Sequence, residues 1–132
     1  MKKKIKILLT LSYFEGHDVG LRVIAKRCVD AGMETIYTRF RSIDEIVSTA
    51  RDEDVDLIGI SSSTGTHNFI ISELMKKLKE NDLDIPVVIG GVIPDDDVPK
   101  LLEMGVKKVF TPGIPPGESV KMISEIATGQ TA

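Results

Sequence analysis

Short apolar segments alternate along the chain with longer segments in which apolar residues recur every three or four positions. The short segments have the length of strands and are rich in Ile, Val and Leu, whereas the longer ones show the period of amphipathic helices. Strands are predicted at Ile5–Thr10, Glu34–Thr38, Asp56–Ile60, Pro86–Ile89 and Lys107–Phe110. Helices are predicted at Val19–Ala31, Ser42–Glu53, Thr66–Asn81, Pro94–Met104 and Pro115–Ala127.

Residues at the predicted helix ends support this assignment. Ser42 is followed three positions later by Glu45, which is the spacing of a capping box at a helix start. Gly32 and Gly105 follow the last apolar positions of two predicted helices, where a C-terminal glycine is expected. The element order is therefore a strand and a helix, repeated five times.

Five such units predict a three-layer α/β fold. Mostly apolar strands that alternate with amphipathic helices form parallel sheets covered on both faces. Five strands fit the flavodoxin-like, Rossmann-like doubly wound sheet with the strand order 2-1-3-4-5. We expect a single domain over residues 1–132, with a core from about 4 to 127 and a loose tail at 128–132.

Composition narrows the class of partner. The 132 residues carry a net charge of −3, which argues against a nucleic-acid surface because phosphate binding needs clustered Lys and Arg. The apolar runs are too short for a signal peptide or a membrane span. The single Cys28 has no partner for a disulfide and is expected to be a small buried residue. We expect a cytoplasmic protein that binds neither nucleic acid nor membrane.

The carboxyl edge of the predicted sheet is where a ligand site is expected, because open α/β folds bind ligands near the point at which strand order reverses. Four loops meet there and share a low charge and many Gly, Ser and Thr residues. Such loops let a bulky ligand approach the backbone. They are Leu11–Asp18, Ser61–Thr66, Gly90–Ile93 and Thr111–Pro116.

Common uses of this fold do not match these loops. A phosphoacceptor receiver domain needs an Asp at the end of strand three and a Lys at the end of strand five, but Ser61 and Thr111 stand there. The first loop lacks the phosphate cradle of a flavodoxin. It also offers only Gly16 and Gly20 toward a G-x-G-x-x-G dinucleotide motif, and the P-loop pattern is absent.

The first loop instead reads E-G-H-D-V-G at positions 15–20. His17 follows a glycine and is free to point outward, and Glu15 is close enough in sequence to hydrogen-bond one ring nitrogen. Such a bond fixes the tautomer and raises the basicity of a metal-ligating imidazole. One histidine cannot hold a bare metal ion, but it can bind a metal already held by a macrocycle. On the residues alone, a loop or helix-capping role for His17 stays open.

From Lys6 to about Ile126 the chain resembles the cobalamin-binding domain of the methylmalonyl-CoA mutase family. The E-G-H-D-V-G stretch matches the D-x-H-x-x-G motif of that family. Agreement continues in order through Asp30–Thr38, Glu53–Ser62, Ile85–Pro94 and Glu103–Gly113. The resemblance implies a cobalamin bound base-off, with its dimethylbenzimidazole tail between the sheet and the first and last helices. It also implies His17 as the lower axial ligand to cobalt.

The resemblance assigns further roles at the same edge. Ser61 would hydrogen-bond the tail base, while glycines would give the tail room and let the loops turn beside it. The implied cofactor-binding residues are Glu15, Gly16, His17, Asp18, Gly20, Ser61, Ser63, Gly65, Gly90, Gly91 and Gly113, and none is implied to be catalytic.

Plainer roles stay open for part of this set. Gly20 could serve only helix packing, and Ser61 could serve only local backbone hydrogen bonding. Gly90 and Gly91 could form only a turn at positive φ, and Gly113 could be an ordinary loop residue. Asp18 is predicted to cap the first helix. His67 is predicted to be a polar residue at the start of the third helix, and Tyr13 and Phe14 either contact the corrin or anchor the loop.

Three positions depart from the family pattern. Glu15 replaces an Asp, Leu11 stands where the family often has a Lys, and Ser63 replaces the Leu of the S-x-L motif. The longer arm of Glu15 still reaches His17, whereas Leu11 cannot join a proton relay. We therefore expect altered tuning of the cobalt and an altered affinity for the cofactor.

In function, the resemblance implies the separate small subunit of an adenosylcobalamin-dependent acyl-CoA mutase, an isomerase. The substrate would bind in the TIM barrel of a large partner subunit, so this chain alone would catalyse nothing. An exposed apolar rim that includes Tyr13 and Phe14 would face that partner. A corrinoid carrier for methyl transfer and a non-enzymatic cobalamin sensor are the alternatives. The resemblance does not identify the substrate, the upper axial ligand to cobalt or the oligomeric state. Whether the isolated chain forms a homo-oligomer stays open as well.

Overall fold

The computed structural model describes residues 4–63 and 65–129, which form a five-stranded parallel sheet in the order β2-β1-β3-β4-β5. The strands are β1 (Lys6–Ser12), β2 (Glu34–Phe40), β3 (Leu57–Ser62), β4 (Val87–Gly91) and β5 (Lys108–Phe110). The helices are α1 (Val19–Asp30), α2 (Ile43–Glu53), α3 (His67–Glu80), α4 (Val98–Glu103) and α5 (Pro116–Thr128). The predicted fold class and strand order are confirmed.

Two apolar cores lie on opposite faces of the sheet, because successive strand residues point to opposite sides. Leu8, Ile58 and Ile89 pack with α2, α3 and α4 on one face. Leu9 and Val88 pack with α1 and α5 on the other, which we call the α1/α5 face. The sheet is covered on both faces, as its apolar strands predict. Over the described ranges, no helix combines the length and apolar character needed to cross a bilayer.

The first four strands run further at their carboxyl ends than the sequence pattern predicts, whereas β5 ends at Phe110 as predicted. β1 and β2 each extend two residues beyond the predicted end, where Leu11 pairs with Arg39 and Ser12 with Phe40. β3 extends in the same way, and Ser61 pairs with Gly90 of β4. Backbone pairing continues through residues whose side chains break the apolar pattern. Residues expected in loops are therefore held in the sheet.

The helix ends agree with prediction at α2 and differ at α1. The Ser42 side chain accepts a hydrogen bond from the Glu45 N–H, and the Glu45 side chain accepts one from the Ser42 N–H, so the capping box is confirmed. Asp18 occupies the N-cap position of α1, but its side chain makes no capping hydrogen bond, so that prediction is wrong. Its carboxylate instead binds Arg22 and Arg39, each at 3.1 Å. Two guanidinium groups supply stronger, charge-assisted bonds than a backbone N–H.

The last two predicted helices also differ at their ends. The predicted fourth helix begins with a 3₁₀ turn, Asp95–Asp97, before α4. In the predicted tail, Thr128 is still helical and its hydroxyl donates to the Ser124 carbonyl. Gly129 ends α5 in the left-handed conformation, and the rest of the tail lies outside the described residues.

Cys28 is fully buried against the α1/α5 face, as predicted. Burial raises the pKa of its thiol from 9.0 to about 11, so the unreactive thiol form is favoured in the folded protein. We expect native protein near neutral pH to resist a disulfide reagent such as DTNB, and urea-unfolded protein to react at once. The folded-state pKa is the higher one, so this group's contribution to stability is complete below pH 9 and is lost as the pH rises toward 11. Rapid modification of native protein would contradict this burial.

Candidate functional site

Small residues open a groove on the α1/α5 face at the carboxyl ends of the strands. One row of paired residues runs from Ser61 to Gly90 to Phe110 across β3, β4 and β5. In the row below, Gly59 pairs with Leu9. Because Ser61 and Gly90 carry almost no side chain, space remains between the sheet and the two helices. Beside Gly59 the Leu9 side chain fills the space, since a Cβ there would lie 2.6 Å from Leu9 Cδ2. The resulting groove has a volume of about 380 Å³, within the range of small-molecule sites.

The groove is mainly apolar, with polar groups near its mouth. Helix α1 contributes Gly20, which lies in its first turn and is not crowded, since a Cβ built there meets no atom within 4 Å. The rest of the lining comes from the strands, from further residues of α1, from α5 and from the loops after β1, β3, β4 and β5. Its apolar members are Leu9, Leu21, Ile24, Ile60, Val88, Val92, Phe110, Pro112, Ile114, Pro116 and Ile123.

His17 stands at the mouth of this groove on the loop between β1 and α1. Its side chain is 83% exposed. The ring nitrogen Nδ1 lies 3.3 Å from Glu15 Oε2 and 3.2 Å from Ser63 Oγ. The other ring nitrogen, Nε2, has no hydrogen-bond partner among the described residues. Across those same residues, no group of three or more His, Cys, Asp or Glu side chains could hold a bare metal ion.

Glu15 is buried beneath His17, with only 4% of its surface exposed. Its Oε1 accepts from the Ser63 N–H at 2.9 Å, and its Oε2 accepts from the Ser63 hydroxyl at 2.5 Å and the His17 N–H at 3.1 Å. Burial alone would raise the pKa of the Glu15 carboxyl, but the hydrogen bonds from Ser63 and His17 outweigh burial and lower that pKa. Glu15 is therefore an ionised group that only accepts hydrogen bonds at neutral pH.

Arg39, on the edge strand β2, fixes the loop from the other side. Its Nη1 donates to the Glu15 carbonyl at 2.7 Å and to the Ser12 carbonyl at 3.3 Å. Its Nη2 donates to the Asp18 carboxylate at 3.1 Å. The sequence analysis missed this residue because the predicted second strand ended one position earlier. Extending the parallel pairing of β1 with β2 past Thr38 would have placed Arg39 beside this loop.

The structure brings together part of the predicted residue set. Those that line the groove are His17, Gly20, Ser61, Ser63, Gly90 and Gly91. Glu15 lies behind His17, and Asp18 anchors the loop to Arg39. Gly16, Gly65 and Gly113 do not line the groove. The lining residues outside the predicted set come from the strands, α1 and α5, where no short motif marks them, and from the loops after β4 and β5, which the sequence analysis placed at this edge.

The two adjacent glycines of β4 are held by different constraints. Gly91 has φ of +120°, and a Cβ there would lie 2.1 Å from the Ser62 carbonyl oxygen, so backbone geometry already requires glycine. A Cβ on Gly90 would lie 3.3 Å from the Phe110 Cβ. The alternative of a turn at positive φ therefore holds for Gly91, while Gly90 belongs to the row of small residues under the groove.

His67 has a different environment from the one predicted. It is only 2% exposed, and its Nε2 lies 2.7 Å from Asp97 Oδ2, which joins the start of α3 to the 3₁₀ turn before α4. The hydrogen bond with His67 is the main cause that lowers the pKa of Asp97. His67 is therefore an interior residue and not a polar group at an exposed helix end, and it does not line the groove.

Exposed apolar side chains lie along the carboxyl edge of the sheet, where the groove opens. Tyr13 is not a buried loop anchor, because it is half exposed and stacks under the Arg41 guanidinium at 4.3 Å from the ring centre. We call this set the apolar rim; its members lie just after β1 and β4 and in the first turns of α1 and α3, and are Tyr13, Phe14, Val19, Phe69 and Val92. Clusters of this kind on one edge mark interaction surfaces.

Comparison with known proteins connects this geometry to one family. The sequence pattern described as "B12 binding domain" matches residues 5–120. The chain is 35% identical over 130 residues to the 2-hydroxyisobutanoyl-CoA mutase small subunit of Aquincola tertiaricarbonis, covering 97% of this chain and 96% of that subunit. It is 37% identical over 126 residues to the pivalyl-CoA mutase small subunit of Xanthobacter autotrophicus, covering 94% and 84%.

A solved structure shares the fold as well. A cobalamin-binding protein from Desulfitobacterium hafniense superposes with a TM-score of 0.79 at 21% sequence identity, covering 94% of this chain and 60% of that one. At this identity the likeness concerns the fold alone.

Proposed function

Because this chain belongs to the B12-binding domain family, we propose that it binds cobalamin in the groove as the small subunit of an adenosylcobalamin-dependent acyl-CoA mutase. The observation that carries the proposal is His17 at the groove mouth, with Nδ1 bound to Glu15 and Ser63 and with Nε2 lacking a hydrogen-bond partner among residues 4–63 and 65–129. Two mutase small subunits that match this chain over most of their length support the role. His17 is the proposed lower axial ligand to cobalt.

The residues present fit such a cofactor. One imidazole suffices for a cobalt whose equatorial positions are filled by the corrin ring, and the chain offers one at the mouth. The groove beside it is apolar and about 380 Å³ in volume, which suits a flat aromatic tail. Ser61 brings a hydroxyl to the groove for the tail base, and the open space at Gly20 gives the tail room.

The chain's own residues are proposed to bind and orient the cofactor. When bound, cobalamin supplies radical chemistry through its cobalt–carbon bond, and the protein supplies placement and electrostatics. Glu15 accepts a hydrogen bond from His17 Nδ1–H, which leaves the lone pair of Nε2 available on a side chain that is 83% exposed. Arg39 and Asp18 hold the loop that carries both residues. None of these groups acts on an acyl-CoA substrate.

A large catalytic subunit completes the proposed enzyme. The apolar rim lies at the same carboxyl edge of the sheet as the groove, and we propose that this subunit covers the rim with a substrate-binding TIM barrel. We also propose that residues 1–132 act as one domain in the cytoplasm, where acyl-CoA thioesters are made and used.

Spectroscopy of the reconstituted cofactor tests the proposal. Adenosylcobalamin added to the chain, alone and with its large subunit, is expected to give the absorption spectrum of a base-off, histidine-ligated form. The Co(II) form is then examined by electron paramagnetic resonance with natural-abundance and ¹⁵N-histidine-labelled protein. Ligation by His17 changes the nitrogen splitting of each cobalt line from three components to two on labelling. A splitting that labelling leaves unchanged, or a free-cofactor spectrum with and without the large subunit, would contradict the proposal.

A further inference from the structure

Ser63, the first residue after β3, makes the closest contacts to the Glu15–His17 pair from outside their own loop. Its backbone N–H donates to Glu15 Oε1 at 2.9 Å, and its hydroxyl donates to Glu15 Oε2 at 2.5 Å. The same hydroxyl oxygen lies 3.2 Å from His17 Nδ1. Three residues from two different crossover loops, Glu15, His17 and Ser63, therefore share one hydrogen-bond network.

The hydrogen atoms in this network can be assigned by counting donors. The Glu15 carboxylate only accepts, and the Ser63 hydroxyl has one hydrogen, which lies toward Glu15 Oε2. His17 Nδ1 faces both Glu15 Oε2 and the Ser63 hydroxyl oxygen. Both are acceptors toward the ring, so Nδ1 carries a hydrogen, and in the neutral imidazole Nε2 then carries none. This assignment follows from the partners around the ring and not from observed hydrogens.

We propose that Ser63 is a positioning residue that acts through Glu15 to hold the His17 ring in the Nδ1–H tautomer, with Nε2 presented to cobalt. The proposal rests on the proposed function for its link to cobalt, but the effect on the ring does not require the cofactor. Glu15 is buried, so losing the Ser63 hydroxyl leaves an oxygen of its carboxylate with fewer donors. The carboxylate and the ring bound to it are then free to shift.

Three variants separate this role from a general effect on folding. Ser63→Ala removes the hydroxyl, and Ser63→Thr keeps a hydroxyl at the same place. Ser62→Ala is the matched control, because Ser62 is the neighbouring buried serine and its hydroxyl has no partner among the described residues. Thermal unfolding of all three shows that each is folded before the comparison.

Two measurements are made on each variant. Proton–nitrogen correlation spectra of the ¹⁵N-histidine-labelled protein without cofactor report the His17 tautomer. Absorption titration reports the affinity for adenosylcobalamin. We expect Ser63→Ala to mix the two tautomers and to weaken cobalamin binding about 10-fold, the low end for loss of a group that orients a metal ligand. Ser63→Thr and Ser62→Ala are expected to match the wild type in both.

The outcomes separate the two proposals. If Ser63→Ala keeps the tautomer of the wild type, Ser63 does not position the ring and the inference is overturned. If the tautomer changes in Ser63→Ala and is restored in Ser63→Thr, the inference is supported, whatever the cofactor does. Absence of a histidine-ligated spectrum in the wild type would count against the proposed function alone.

Discussion

Replacing His17 by Ala is expected to abolish the histidine-ligated spectrum of bound cobalamin and to weaken binding by about 100-fold or more. Loss of a group that only orients a metal ligand costs about 10- to 100-fold, and here the ligand itself is removed. The free energy of unfolding is expected to change by less than about 1 kcal/mol, because the ring is mostly solvent-exposed and loses only the two long contacts of Nδ1 with Glu15 and Ser63. Absorption titration and urea unfolding measure the two quantities.

Chemical rescue supplies the control for this variant. His17→Gly leaves space at the loop for an added imidazole molecule, which is expected to restore the ligated spectrum in a concentration-dependent way. Wild-type protein should not respond to the same additive. An unaltered wild-type spectrum in His17→Ala would show that cobalt takes its lower ligand from elsewhere.

Enlarging Gly20 is expected to separate cofactor binding from stability. Gly20 lines the groove in the first turn of α1, and a Cβ there meets no atom within 4 Å. The Cβ of Gly20→Leu therefore meets no atom in the free protein, and replacing a helical glycine is expected to raise the free energy of unfolding by up to about 1 kcal/mol. The added side chain occupies space needed by the cofactor tail. Overpacking costs about 1–3 kcal/mol, which is roughly 10- to 100-fold in affinity.

The second helix of the groove provides a matched control for Gly20. Gly117 is the second residue of α5, as Gly20 is of α1, and it does not line the groove. A Cβ there meets only the end of the Arg27 side chain, at 4.0 Å. Gly117→Leu is expected to stabilise the protein similarly and to leave cobalamin affinity unchanged. Equal affinity in the Gly20 and Gly117 variants, measured by absorption titration, would place the tail outside this groove.

Local sequence signals were sufficient for the fold. Apolar periodicity gave the alternation of strands and helices, and the Ser42–Glu45 spacing gave a capping box that the structure contains. The strand ends were less predictable, because pairing of Leu11 with Arg39 depends on a neighbouring strand and not on apolar character. The same dependence explains Asp18, whose predicted cap is displaced by two arginines that only the folded chain brings near.

The candidate site was predictable where one loop contained the information. The contact between Glu15 and His17 follows from their spacing and is present in the structure. Ser63 was expected to remove an apolar contact, but it donates two hydrogen bonds to Glu15 instead. Leu11, expected only to be unable to join a proton relay, is fully buried in the core of the α1/α5 face. Neither the hydrogen bonds of Ser63 nor the burial of Leu11 can be predicted from a single segment, because each depends on the packing of several strands.

The hold of Arg39 on the first loop has a kinetic consequence. Its guanidinium binds two carbonyls and one carboxylate of the segment that bears His17. The conformational entropy of that segment is therefore lost when the chain folds, before any ligand binds. A preorganised imidazole loses less conformational entropy when it binds the metal. We therefore expect entry of the nucleotide tail between the helices, and not closure of the loop, to limit the association rate.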